Sequence, residues 1–328
     1  MAAAGARVRF PMERYTVIGF IEILGKIPAH LRLLRTLAAE FQAGRYDLLI
    51  VIDYPGFHIR LAEAARRHGV KVIYYIAPQL WAWRPGRARR LRGAVDRLAV
   101  VLPFEAEFFA RQGIAAEYVG HPLLDRPPLP TRDAARTALG IPGSARVLGL
   151  FPGSRTQEID RLWTRFRAAA RFLLDDGRCD AVVVAGTAEG RYPGGEGFLI
   201  HRGTSETVFA AADAALAKSG TTTLEAALAD LPMVVAYRVN PVTSWLARRL
   251  ITVPWISLVN LVAGRGVVDE VLQRHATPAA LARRVAPLLD ANDPLTLAQR
   301  DGLRLVRERL GGDGAARRVA AIAAELLG

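Results

Sequence analysis

Val72-Ile73-Tyr74-Tyr75-Ile76-Ala77-Pro78-Gln79-Leu80-Trp81-Ala82-Trp83-Arg84 is an apolar run closed by a proline and followed by a Trp-rich loop with an arginine at its tip. Consecutive apolar residues ended by a breaker read as a parallel strand buried on both faces. Open α/β sheets place their ligand crevices at the C-terminal ends of such strands, so Trp81, Trp83 and Arg84 are candidate cleft residues. Upstream, Tyr46 to Ile52 is a second run of the same kind and ends at Asp53-Tyr54-Pro55. A carboxylate and the Trp-rich loop would then share one rim. On spacing alone, a helix-capping Asp and two core tryptophans explain these residues equally well.

Outward from there the pattern alternates. Strands end near Asp53, Ala77, Pro103 and Gly120, with helices over Phe57–Arg67, Pro85–Ala94 and Glu105–Arg111. His58 and His121 sit near strand ends and are candidates to line the cleft, although a lone histidine is more often a satisfied structural group. Pro122, Pro127, Pro128 and Pro130 then give a linker composition. A second series follows, with strands at Arg146–Phe151, Asp180–Ala185, Phe198–His201, Ala214–Lys218 and Met233–Tyr237, and only helices past Thr277. The expected organisation is a first domain over 1–122, a linker and first helix over 123–145, a second domain over 146–293 and C-terminal helices over 294–328. The fold class is α/β, with two doubly wound domains facing a cleft. No strand leads into Gly-x-Gly-x-x-Gly or a P-loop, which argues against hydride transfer and ATP hydrolysis.

Composition narrows the chemistry further. The 328 residues carry one cysteine, Cys179, so an internal disulfide and a thiolate metal cluster are excluded. The six histidines are scattered singly, and neither a metal nor a cofactor is expected. The net charge of +13 is nearly all arginine, which suits nucleic acid, an anionic membrane surface or a phosphorylated substrate. No helix-turn-helix, zinc finger or aromatic RNA-binding signature favours nucleic acid. No run approaches the roughly 18 to 20 apolar residues of a spanning helix, and no secretory signal opens the chain, so a cytosolic protein is expected. The segment from Val17 to Pro28 and on to Arg35 is more apolar than one buried helix face needs. Ile21, Ile23, Leu24, Ile27 and Leu31 there form a candidate membrane patch rimmed by basic residues; a core helix is the competing reading.

Two loops carry the sharper signals. In Pro152-Gly153-Ser154-Arg155, Gly153 permits close backbone approach, Ser154 can cap the next helix and Arg155 offers a fork to an anion. In Lys218-Ser219-Gly220-Thr221-Thr222-Thr223-Leu224-Glu225, a short strand enters a glycine, three hydroxyl residues and a helix start. Free N–H groups beside hydroxyls suit a diphosphate, and Glu225 one turn in suits ribose hydroxyls. The bland alternative is a capping box of Thr222 with Glu225. Ser257 to Arg265 reads as a further loop bearing Asn260 and Arg265, with Glu270 and Gln273 on a following helix.

Taken in order, these motifs closely resemble the lipid-A-disaccharide synthase family of inverting GT-B glycosyltransferases, from about Tyr15 to the C-terminus. The Trp81-Ala82-Trp83-Arg84 and Asn260-Leu261-Val262-Ala263-Gly264-Arg265 segments are its most specific signatures. The resemblance implies a UDP-2,3-diacylglucosamine donor and a 2,3-diacylglucosamine-1-phosphate acceptor (lipid X). It also implies a β-1,6-linked product, released UDP and a cytoplasmic enzyme lying peripherally on the inner membrane. It implies Asp53 as catalytic carboxylate and Arg155 as diphosphate ligand, with Ser219, Gly220, Thr221, Glu225 and Asn260 lining the nucleotide pocket. Gly56 and His58 stand where many members have Asp and Asn, and Val259 where proline is frequent. Members also open with a strand, a Gly-rich loop, a helix and a second strand ahead of the segment matching Met1. Met1 to Phe10 has no strand leading to a glycine-rich turn. The expectation is therefore a first domain without its opening β-α-β unit, from a misplaced start codon or truncated gene model. An inactive remnant that retains UDP binding, and a UDP-GlcNAc 2-epimerase-like enzyme, are the alternatives.

Overall fold

The computed structural model describes residues 5–10, 20–82, 86, 88–240 and 253–328, with the side chains of 20–26 outside that description. Trp83, Arg84 and the side chains of Ile21, Ile23 and Leu24 therefore lie outside the described residues.

Helix α1 (Phe20–Gln42) packs on α2 (Pro55–Arg67) and leads into β1 (Leu48–Ile52). There follow β2 (Lys71–Tyr75), α3 (Ala88–Arg92), β3 (Arg97–Val100), α4 (Glu105–Arg111) and β4 (Ala116–Tyr118). The four strands form a parallel sheet in the order β1-β2-β3-β4, with Ile50 opposite Ile73. Its alternating side chains feed two cores. Val51, Val72, Tyr74, Leu98 and Val100 point to α2 and α4, while Ile73, Ala99 and Val101 point the other way.

A 3₁₀ turn at Pro122–Asp125 and helix α5 (Arg132–Leu139) lead into the second sheet. It is built from β5 (Val147–Phe151), α6 (Thr156–Asp175), β6 (Ala181–Ala185), β7 (Leu199–His201), α7 (Ser205–Ala211), β8 (Ala214–Lys218), α8 (Thr221–Leu228) and β9 (Met233–Tyr237). After it come α9 (Leu258–Ala263), β10 (Asp269–Leu272), α10 (Pro278–Val285), α11 (Pro294–Leu310) and α12 (Ala315–Leu327). The strand order is β10-β9-β8-β5-β6-β7, all parallel, the reversal of direction falling beside β5. Every residue of β5 is buried, as its uninterrupted apolar run requires, with Leu148 and Leu150 in one core and Val147 and Phe151 in the other.

Two elements depart from expectation. Asp269–Leu272 is a strand, not part of a helix, and Gln273 lies in a 3₁₀ turn. As an edge strand it tolerates polar residues, and Glu270 there accepts the amides of Ile256 and Ser257 at 2.9 Å. Helix α3 also ends at Arg92, two residues short of the expected Ala94, with Arg90 paired to Glu63 at 2.8 Å.

The last two helices part company. α11 packs against α8 and α9, whereas α12 crosses back and places Val319 and Ile322 in the core that contains Ile73 and Ala99. Polar ties fix the crossing: Tyr118 donates to the Leu310 carbonyl and Arg318 to the Val119 carbonyl, each at 2.7 Å. α12 covers the inner strands, and at the β1 edge Ile50 and Ile52 remain 41% and 40% exposed.

Candidate active site

Asp53 follows β1 in the left-handed region, φ +50°, and Tyr54 comes next at φ +48°. Such a conformation is costly for two consecutive side-chain-bearing residues and survives only where surroundings hold it. They do. The Asp53 N–H donates to the Tyr75 carbonyl at 3.0 Å, and its own carbonyl accepts from the Tyr74 hydroxyl at 2.7 Å and from His58 Nδ1 at 2.8 Å. The proton on His58 is thereby fixed at Nδ1, and burial pushes its pKa down, so the ring is a neutral brace. The backbone is pinned while the Asp53 carboxylate stays exposed at the C-terminal edge of the sheet. His58 thus holds the Asp53 turn in place.

The Trp loop is anchored differently from expectation. Trp81 is 6% exposed and packs edge-on against Phe104, so it is a core residue and not a cleft wall. Its indole N–H donates to Glu105 at 2.8 Å, and the same buried carboxyl accepts the amides of Val101 and Leu102 at 3.2 and 3.0 Å. Burial pushes Glu105 up to about 7 despite those donors. His121 is likewise buried. Its Nδ1 accepts from the Leu123 amide at 3.2 Å, leaving the proton on Nε2, and burial with the nearby Arg126 charge pushes it down to about 4. It is a neutral turn residue on the linker.

On the second sheet, Gly153 has φ +122°, and a Cβ there would fall 2.6 Å from Glu158 Oε2. Glu158, three residues beyond Arg155, organises the loop: it takes the Ser154 amide at 3.2 Å and the Lys218 ammonium at 2.8 Å. Against the cost of burial, those donors hold its carboxyl below the usual range. Ser154 is not the helix cap, since Arg155 occupies that position. The Arg155 side chain is 72% exposed, with only a 3.5 Å approach to Glu158. Lys218, at the end of β8, brings a second cation to the same loop.

Ser219 is buried, and its hydroxyl donates to the Ile256 carbonyl at 2.9 Å. Gly220, with φ +145° and ψ −159°, occupies the N-cap position of α8, so the Thr222–Glu225 capping box does not form. Thr221 is exposed at the helix start. Glu225 instead accepts from Arg126 of the linker at 2.7 Å.

Asn260 and Arg265 are corrected. Asn260 is 1% exposed and spends its amide internally, donating to the Val268 carbonyl and Glu270 and accepting the Val267 and Val268 amides at 2.7 and 2.9 Å. It closes the loop and does not line a pocket. Arg265 lies at the opposite end of the sheet, in a groove with Gln299, which receives the Met233 amide where β9 begins.

Sequence reasoning missed Glu158, Lys218, Glu105 and Arg126 as site residues. Glu158 and Glu105 carried a readable signal, an acid in the first helical turn after a strand exit. Arg126 carried none.

Two parallel sheets with such loops at their C-terminal edges define a GT-B fold, although among the described residues only the second is doubly wound, the first running β1-β2-β3-β4 without reversal. The structure is similar to a UDP-N-acetylglucosamine 2-epimerase of Listeria monocytogenes (TM-score 0.60, 13% identity, covering 89% of this chain and 77% of that one). MurG of Acinetobacter baumannii gives TM-score 0.56 at 14% identity, covering 89% and 75%. At those identities the likeness speaks to the fold alone. Within that class the sequence is decisive: the chain belongs to the lipid-A-disaccharide synthetase family, whose sequence profile matches residues 1–324. The lipid-A-disaccharide synthase of Geobacter metallireducens is 40% identical over 338 residues, spanning 100% of this chain and 88% of that protein. That of Azotobacter vinelandii is 43% identical over 303 residues, spanning 88% and 80%. The protein is a hexosyltransferase with lipid-A-disaccharide synthase activity. No helix among the described residues is long and apolar enough to cross a membrane.

Proposed function

We propose that this chain joins UDP-2,3-diacylglucosamine to 2,3-diacylglucosamine-1-phosphate with inversion, forming the β-1,6 disaccharide and releasing UDP. The acceptor 6-hydroxyl oxygen attacks the donor's anomeric carbon while Asp53 takes its proton. The bond from that carbon to the diphosphate oxygen breaks, and its electron pair leaves with UDP. Arg155 and the N–H groups of the Gly220-Thr221 helix start stabilise the developing charge. Ser219 shapes the loop, and Glu225 accepts from the donor ribose. Residues 1–122 form the acceptor side and 146–293 the donor side. The observation that carries this reading is the exposed Asp53 carboxylate on a turn strained and braced at a strand end.

Both substrates are acylated, so the enzyme works at the cytosolic face of the inner membrane. Ile27 and Leu31, 40% and 36% exposed on α1, support contact there.

Asp53→Asn in the full chain tests the chemistry. Transfer should fall about 10²-fold or more, the scale of a lost general base, with UDP affinity within twofold of the parent. Turnover within a few-fold of the parent would return Asp53 to a structural role.

A further inference from the structure

The linker brings a cation to the carboxylate assigned above to the donor ribose. Arg126 Nη1 lies 2.7 Å from Glu225 Oε1 on α8 and 3.4 Å from Glu206 Oε1 on α7. The backbone before it is tied to the other half of the molecule. The Asp125 carboxylate accepts the amides of Gly314, Ala315 and Ala316 at 2.5, 3.2 and 3.1 Å, capping α12, which packs on the first sheet. After it, Pro127, Pro128 and Pro130 restrict the chain. A stiff, doubly anchored segment therefore presents the guanidinium, which borders a cavity of about 590 Å³ that Leu124, Pro128, Phe209 and Leu228 also line.

The electrostatics follow from that placement. Glu206 and Glu225 both reach one guanidinium, which offsets the repulsion between their like charges. With Arg126 on Oε1, the second oxygen of Glu225 keeps its lone pairs for another donor. The carboxylate is held in one orientation before any ligand arrives, so less ordering entropy is lost on binding.

We propose that Arg126 is a positioning residue for donor recognition: it holds Glu225 so that its remaining oxygen reads the 2′-hydroxyl of the donor ribose. The inference rests on the assignment of Glu225 to the ribose. It predicts that Arg126 governs discrimination between ribo- and deoxyribonucleotide without touching the nucleotide.

Calorimetry with UDP and 2′-deoxy-UDP on the full chain separates the possibilities. The parent should prefer UDP by about tenfold or more, the scale of a hydrogen bond to a charged acceptor. Glu225→Gln should collapse that preference. Arg126→Ala should reduce it at least about threefold while 2′-deoxy-UDP affinity stays within about twofold, and Arg126→Lys should restore part of it. If Glu225→Gln collapses the preference and Arg126→Ala leaves it intact, or weakens both ligands equally, Arg126 does not position Glu225. If Glu225→Gln leaves the preference intact, the ribose assignment itself is wrong and the proposal goes with it.

Discussion

Glu105 shows how one side chain can tie a loop, a strand end and a helix start together, and at what energetic cost. Its carboxyl is buried and pushed up to about 7. Between its unfolded value of 4.5 and about 7, the folded protein keeps a proton that the unfolded chain has released. The stability this group contributes is therefore full below 4.5 and is lost as the pH rises through about 7. His121 runs the other way: pushed from 6.5 down to about 4, it contributes stability above 6.5 that is lost as the pH falls toward 4. The two partly cancel across the mildly acidic range. In Glu105→Gln the contribution opposing the histidines is removed, so stability should fall more steeply than in the parent between pH 7 and pH 5. The expected difference is on the order of 1 to 3 kcal/mol. Urea unfolding at both pH values measures it, and equal slopes in parent and variant would show that Glu105 is ionised throughout. Asp53 and Tyr54 make the complementary point: a strained pair at a strand end is held by groups brought from β2 and α2.

At the scale of elements, the strand-to-helix loops of the second sheet are the proposed donor-binding loops, and each depends on one glycine. Gly220 has a backbone conformation that only glycine adopts readily, while its nearest neighbour to a built Cβ, Lys218 Nζ, is 3.5 Å away. The constraint is thus backbone strain and not crowding. Gly220→Ala should cost about 1 to 3 kcal/mol of stability and displace the amides of the helix start, weakening UDP binding. Calorimetry with Arg155→Ala tests the neighbouring loop. The affinity for UDP should fall by about 1.5 to 3 kcal/mol, the scale of a hydrogen bond to a charged group. Unchanged affinity would leave Arg155 as a solvated surface residue. Lys218 then becomes the cation to test, because its partner Glu158 already organises the loop.

The whole molecule is held by crossings rather than by one linker. α12 returns to the first sheet, and its N-terminal amides are capped by Asp125 within that linker, so both connections between the sheets meet at one point. Part of the exposed apolar surface lies on α1. Ile27 and Leu31 on α1 are exposed beside a strongly basic chain, a combination suited to an anionic bilayer. Ile27→Ser/Leu31→Ser should co-sediment with anionic vesicles several-fold less than the parent while keeping its thermal midpoint. Undiminished binding by the folded variant would place the membrane contact on another surface.

The sequence by itself determined the alternating architecture. β8 at Ala214–Lys218, β9 at Met233–Tyr237 and α4 at Glu105–Arg111 coincide with their expected bounds, because a short apolar run or amphipathic turn bounded by breakers encodes its conformation locally. The motif loops at Asp53, Gly153 and Ser219 were legible for the same reason, since a strand exit followed by glycine or hydroxyl residues is a local signal. Tertiary structure decided what those loops do with their side chains. Trp81 turned inward because a buried acid from α4 offered its indole a partner, and Asn260 because the entry to β10 supplied both donors and acceptors. β10 itself is a polar edge strand with no apolar period to betray it. The Arg126–Glu225 pair joins residues 99 positions apart, and α12 returns to a sheet nearly two hundred residues behind it. Such pairings depend on where the fold brings polar groups together, and no local pattern along the chain records them.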